Sequence, residues 1–393
     1  MSDLTARDAA VFLHQSSSTP VHWDIARAEG TWIEDHAGRR WMDFHGNSAH
    51  HLGHGHPAVI AAIKAQLGTL PFAPRRFTSE PAVHLAEALS ALSPIPGARV
   101  LFAPSGSDAV DMALRLARAH TGRPGTLAFT GSYHGTTLAA ASAGGDATFR
   151  QVPPLVPHAH HVPQYAPPEE IEPILATGRI ACLIAEPMRA WPLTAPPGYW
   201  PAIRALCTRH GTLMIFDEIP TGLGKTGRLF ASEHEGATPD ITVLGKALGG
   251  GILPLAALLA HPSLNTAARH EIGHVTHEKN PVTCAAGLAI LRVLQDQDLP
   301  ARAASLGEIT LARLRDSLAG QPGVTALHGR GLMLGIELDD PARAARICAA
   351  CMAEGLAFKT SNATTLTLSP PLTIAEPDLD RAIGIVTRQI TAP

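Results

Sequence analysis

Four short apolar runs, at residues 126–129, 180–185, 213–216 and 241–244, constrain this chain more than any other feature. Each is nearly continuous in apolar side chains, so neither face of the strand it predicts suits water. A further short strand is expected at 100–103. Helical patterns fall between or ahead of these runs, at 83–92, 108–119 and 201–209. Strand–helix alternation of this kind predicts an α/β fold, with a mostly parallel sheet covered on both faces. Ligands of such sheets sit at the carboxyl ends of the strands. The residues that follow each run are therefore the informative ones.

The remaining segments arrange themselves around that block. Residues 1–65 read as an N-terminal arm that forms part of a small domain, 66–285 as a large domain, and 286–393 as a C-terminal small α+β domain. In the arm, 31–33 and 40–44 alternate around the turn Asp35-His36-Ala37-Gly38, which predicts a hairpin. Pro57 then opens a helix over 58–67. The proline- and histidine-rich segment 151–173 reads as a long loop. Beyond 286, helices are expected at 287–295, 301–318 and 341–354, with strands near 324–328 and 332–338 and a closing segment at 365–372.

A net charge of -3 over 393 residues leaves no basic surplus for nucleic acid or an anionic membrane. Only 17% of residues are charged and 45% are apolar, which predicts extensive burial, part of it against a second copy. No apolar run approaches the roughly eighteen residues of a membrane span. The N-terminus lacks an apolar signal core, and five cysteines without a disulfide pattern suit a reducing cytoplasm. Histidines crowd two segments, His45, His50, His51, His54 and His56 in one, His158, His160 and His161 in the other. Zinc ligation is disfavoured for the first. It alternates with Gly46, Gly53 and Gly55 and lacks a helix-spaced pair with a carboxylate. A loop lining a pocket, with one or two histidines on substrate and no metal, is the expectation.

Four strand ends carry the chemistry. After 241–244 comes Lys246, followed closely by Gly249, Gly250 and Gly251. It is either a surface lysine before a glycine-rich turn or an amine whose charge is disfavoured by apolar surroundings, suited to a Schiff base. After 100–103, Gly106 and Ser107 open a helix whose free amides and hydroxyl suit a phosphate, or simply cap it. After 126–129, Tyr133 stands between glycines, placed either to stack on a flat ring or in a plain turn. After 213–216, Asp217 closes a buried strand, which is costly unless the carboxylate is paired. A protonated ring nitrogen is one such partner. Taken together, these groups point to pyridoxal 5'-phosphate, a cofactor that serves as electron sink.

The motifs SGSDAVDMALRLAR (105–118), SYHG (132–135), FDEIPTGLGKTG (216–227), GKALGGG (245–251) and THEKNPVTCAAGLAIL (276–291) occur in that order. In this the chain resembles the class III pyridoxal-phosphate aminotransferases of fold type I, over most of its length. The resemblance implies a large domain with a seven-stranded sheet, a small domain from both chain ends, and a homodimer with shared active sites. It implies Lys246 as the Schiff-base lysine and Asp217 as partner of the pyridine nitrogen. Tyr133 and Ile219 match the residues on the two ring faces. Gly106 and Ser107 match the phosphate cradle, with His134 beside Tyr133 in the same site. Glu186 matches the glutamate of a Glu-Pro element, and Thr276 the threonine that reaches the neighbouring subunit's phosphate.

Departures from the family pattern bear on the reaction. Pro220 stands where a glutamine is usual. Thr367 stands where an arginine commonly clamps a keto-acid carboxylate, and a hydroxyl cannot replace a bidentate guanidinium. Positive charge appears instead at Arg189, after Glu186-Pro187, and at Arg75 and Arg76. These arginines are the candidates for a substrate anion, with His50 and His277 as further candidates for substrate contact. The segments at 43–57, 217–227 and 273–281 most resemble a branch that eliminates rather than transaminates, the (R)-1-hydroxy-2-aminoethylphosphonate ammonia-lyases. The implied reaction is β-elimination giving phosphonoacetaldehyde and ammonia. The alternative is an ω-aminotransferase that passes an amino group from a primary amine to a keto acid.

Overall fold

The apolar runs come together as one sheet. The structure, a computed structural model, describes residues 3–13, 23–146 and 156–392. Seven strands lie in the order Arg99–Ala103, Ala256–Ala260, Ile241–Leu244, Leu213–Asp217, Ile180–Ala185, Gly125–Phe129, Ala159–Val162. Ala256–Ala260 runs antiparallel to both of its neighbours, and the remaining neighbours pair parallel. Alternate residues of a strand face opposite sides. Ile215 accordingly joins a core with Val110 and Leu114 of the helix Gly106–Thr121. Met214 and Phe216 join another with Trp200 and Ile203 of the helix Tyr199–His210. Both faces are covered, and for this reason the central strands show no polar alternation.

The helix Gly106–Thr121 illustrates how local sequence sets an element's ends. Ser105 caps it by accepting from Asp108 N at 3.2 Å, and Gly122 closes it at φ 68°. Asp108 in the first turn and Arg118 and His120 in the last complement the helix dipole.

Two smaller sheets flank the large one. Val324–Arg330, Met333–Leu338, Thr365–Leu368 and Lys359–Ser361 form an antiparallel sheet in that order. Ile25–Glu29, Trp32–Asp35 and Arg40–Asp43 form an antiparallel meander that includes the expected hairpin. Leu356–Ala357 adds to it in parallel. The two ends of the chain are thus stitched together. Ser369 N donates to Phe44 O at 2.8 Å and Leu372 N to His51 O at 2.7 Å, which brings the histidine-rich segment under the C-terminal strand.

The segment expected as a loop over 151–173 is not one throughout. Residues 151–155 lie outside the described residues, while Ala159–Val162 forms an edge strand and Pro168–Ala176 a helix. An edge strand pairs on one side only, and Ala159-His160-His161-Val162 carries no apolar run to announce it. The strand Ala256–Ala260 and the helix Glu376–Thr391 were also not expected from the sequence.

The turn after Ile241–Leu244 is held from outside. Gly250 and Gly251 both adopt φ 71°. A Cβ on Gly251 would stand 2.9 Å from Ala49 O, which is backbone and cannot swing away. Gly320, at φ 67°, has nothing within 4 Å of the same position. Either glycine replaced by alanine costs roughly 1–2 kcal/mol for the left-handed backbone. Gly251→Ala must also displace the Ala49 carbonyl. Urea denaturation is expected to show a clearly larger loss of stability for Gly251→Ala than for Gly320→Ala.

Candidate active site

The carboxyl ends of the adjacent strands Ile180–Ala185, Leu213–Asp217 and Ile241–Leu244 deliver Glu186, Asp217 and Lys246 to one region. Lys246 adopts φ 46°, a left-handed conformation rare for a side chain of this size. Backbone strain of this kind concentrates at functional positions. Burial pushes its ammonium below the ordinary lysine range; the nearby Lys359 charge acts the same way, and the Asp217 and Glu186 carboxylates oppose both.

Asp217 is only 2% exposed. Its Oδ2 lies 2.8 Å from His134 Nδ1, and its Oδ1 accepts from Ile219 N at 3.1 Å. These contacts offset the cost of burying the carboxylate. A carboxylate has about four acceptor sites, so it retains capacity for a further N–H. His134 comes from the Tyr133 loop, and its Nε2 is buried without a partner. Tyr133 itself is 42% exposed. Its phenol is pushed up by burial first, then by the charges of Asp217 and Asp146.

Ile219 packs where two glycines leave room. A Cβ on Gly106 would stand 2.8 Å from Ile219 Cδ1, and one on Gly245 would stand 3.3 Å from Ile219 Cγ2. Ser107 Oγ accepts from Thr136 N at 3.1 Å. Asp111 Oδ1 accepts from Thr137 Oγ1 at 2.9 Å and Ala140 N at 2.8 Å. The start of the helix Gly106–Thr121 is thereby tied to the Tyr133–His134 loop. First-turn amides have no partner within their own helix, so those of Gly106 and Ser107 are available to an anion.

Arg189 is engaged rather than free. Its Nη2 donates to Gly131 O, and its Nη1 lies 2.9 Å from Glu186 Oε2, a charge contact without hydrogen-bond geometry. Glu186 Oε1 also accepts from Ala190 N at 3.2 Å. His50 is likewise held by the fold: it is 2% exposed, with Nε2 2.9 Å from Asp43 O. Asp43, His50 and His54 offer ligand atoms within 4.8 Å of one another. The Asp43 carboxylate is already engaged by His54 Nε2 at 2.9 Å and by the amides of His45 and Gly46.

Arg75, Arg76, Thr276 and His277 fall in a separate group. Arg75 Nε is 3.9 Å from Glu278 Oε1, and Lys279 Nζ donates to Arg75 O at 2.9 Å. Phe72 and His277 meet edge to face at 5.4 Å, and Arg76 lies over Phe77. Among the described residues no hydrogen bond or ion pair joins this group to Lys246, Asp217 or Glu186.

Two further residues lie within electrostatic reach of Lys246: Lys359, not expected from the sequence, and His45 of the histidine-rich segment. Burial pushes Lys359 below the ordinary lysine range, against the pull of Glu186. Burial also pushes His45 down to about 4, helped by the charges of Lys359 and Lys246. A lone lysine in a three-residue strand carries no signal of its own, and only strand register brings it here.

The apo protein provides a test of the amine. The pH dependence of Lys246 acylation, followed by peptide mapping, should show a midpoint below that of a free lysine peptide. Asp217→Asn removes a carboxylate that favours the charged amine, so the midpoint should fall further. A midpoint unmoved by Asp217→Asn would place the two groups out of electrostatic contact.

The residue set fits pyridoxal 5'-phosphate: a buried amine, a buried carboxylate with spare acceptor capacity, free helix-start amides and an apolar Ile219. Residues 13–390 match the family model of the class-III aminotransferases. The chain is 36% identical to (R)-1-hydroxy-2-aminoethylphosphonate ammonia-lyase of Vibrio splendidus, with 98% of this chain and 89% of that protein covered. It is 33% identical to ornithine aminotransferase 2 of Staphylococcus aureus, with 93% of each covered. The ornithine aminotransferase of Toxoplasma gondii, solved with partial occupancy of the cofactor at its active site, aligns with a TM-score of 0.93 at 26% identity. That alignment covers 99% of this chain and 94% of the other. The protein belongs to the class III aminotransferase family, with fold type I and pyridoxal 5'-phosphate as its cofactor.

Proposed function

We propose that the protein is an ammonia-lyase that converts (R)-1-hydroxy-2-aminoethylphosphonate to phosphonoacetaldehyde and ammonia. The observation that carries this reading is Thr367. It is 2% exposed and its hydroxyl donates to Ser361 Oγ at 2.9 Å. No guanidinium stands at that point of the sheet to clamp a keto-acid carboxylate, and transamination needs a second substrate of that kind. The relative from Vibrio splendidus supports the same reaction.

In this reading Lys246 holds the cofactor and Asp217, oriented by His134, faces its ring nitrogen. Tyr133 and Ile219 flank the ring, Gly106 and Ser107 take the phosphate, and Glu186 completes the pocket wall. The cofactor supplies an electron sink. The Lys246 amine, whose proton affinity burial lowers, takes a proton from the carbon that bears the substrate nitrogen. The hydroxyl on the adjacent carbon leaves with a proton, which the newly protonated Lys246 supplies. Water is lost at this step and returns when the enamine hydrolyses to aldehyde and ammonia, so the atoms balance.

The second reading, an ω-aminotransferase, has support from the ornithine aminotransferase relatives. One assay separates the two. Holoenzyme incubated with the hydroxyphosphonate alone is expected to release ammonia and aldehyde in equal amounts. Turnover that depends strictly on a keto acid, with a new amino acid formed in equal amount, would establish the aminotransferase.

The proposal includes a symmetric homodimer in which Thr276 serves the partner's phosphate site. Thr276 is exposed, and so are the large apolar side chains Phe72, Phe77, Leu138 and Ile252. A cover over these surfaces suits a chain of few charges. Sedimentation velocity at assay concentration should give a dimer, and a fully active monomer would rule it out.

A further inference from the structure

Lys359 is a cation without a counter-ion. Among the described residues its ammonium makes no ion pair or hydrogen bond, although its side chain is partly buried. Leaving an ammonium desolvated and unpaired is costly. The carboxylate that acts on it is Glu186. That carboxylate is already engaged by Arg189 and Ala190 N.

Strand register places this lysine. Lys359 pairs with Thr367, and Thr367 pairs on its other side with Gly335. Directly opposed residues of antiparallel strands share a face, so Gly335, Thr367 and Lys359 form one row. The hydrogen bond from Thr367 to Ser361 confirms the face. A Cβ on Gly335 would stand 3.1 Å from Pro192 Cδ, in the loop that follows Glu186 and Arg189. The row therefore looks onto the carboxyl ends of the large sheet. Its members other than Lys359 are small and uncharged. Lys359 is also within electrostatic reach of Lys246 and His45.

We propose that Lys359 Nζ binds the phosphonate of the substrate, in the row where Thr367 supplies no charge. The inference rests on the ammonia-lyase reading and names its anion-binding residue. A two-carbon substrate requires its anion to lie close to the amine it presents near Lys246, and Lys359 is a cation of that region with no ion pair among the described residues. Arg189, by contrast, has its charge balanced by Glu186. A phosphonate carries more charge than a carboxylate, and its tetrahedral oxygens accept from a point-like ammonium without needing a planar fork.

The test uses holoenzyme and follows the change in cofactor absorption as amines are titrated in. The probes are 2-aminoethylphosphonate, β-alanine and propylamine, which share a primary amine and differ in the anion. Lys359→Ala should weaken 2-aminoethylphosphonate binding about 10- to 100-fold and leave propylamine within about twofold. Lys359→Arg should restore most of the loss. Equal effects on the phosphonate and propylamine, or none on either, would overturn the assignment. A larger effect on β-alanine than on the phosphonate would also overturn it, by marking a carboxylate site. If Lys359-dependent phosphonate binding holds while the hydroxyphosphonate yields no ammonia, the elimination reading fails and the anion site stands.

Discussion

A buried carboxylate at the end of the middle strand is the constraint on which the site depends. Asp217 sits where both faces of the sheet are covered, and water cannot solvate it. Its stability in that position comes from His134 Nδ1 and Ile219 N. Those two contacts fix the loop after Gly125–Phe129 and the turn after Leu213–Asp217 relative to each other. Ile219 in turn fills the space left by Gly106 and Gly245, which sets the helix start and the lysine turn. Four strand ends are thus registered through one acid and one isoleucine.

Buried charge elsewhere ties the small sheets to the large one. Lys225 is fully buried, donates to the Ser369 and Pro370 carbonyls, and is pushed down to about 7 by burial. Glu218, next to Asp217 in sequence, points the other way and accepts from Ser232 N at 3.0 Å; burial pushes it up to about 7. Adjacent acids therefore meet different partners, one toward His134 and Lys246 and one in the scaffold, because successive side chains leave the strand on opposite faces. Around Lys246 the balance is finer. Burial and Lys359 lower its proton affinity, while Asp217 and Glu186 raise it. A proton acceptor beside a carbon acid needs such a balance, since a fully charged amine has no lone pair to offer.

The amino-acid sequence alone determined five of the central sheet's seven strands, most helices and the residues at the strand ends. Continuous apolar strands admit few alternatives to a sheet covered on both faces, and Lys246 and Asp217 stand immediately beyond two of them. Two strands of that sheet were less legible. Ala159–Val162 has one pairing neighbour and needs no apolar face, so its composition looks like a loop. Ala256–Ala260 is built of small residues that serve helix or strand equally, and only its two antiparallel partners decide. The substrate side depended on tertiary structure most of all. Arg189, a bare cation in the sequence, lies beside Glu186 Oε2 and donates from Nη2 to the Gly131 carbonyl, while its Nε is buried without a hydrogen-bond partner. Lys359 lies far from Lys246 along the chain, in a strand too short to show a pattern. Its pairing opposite Thr367 is a matter of register, and register is set by contacts between distant strands rather than by residues next to one another.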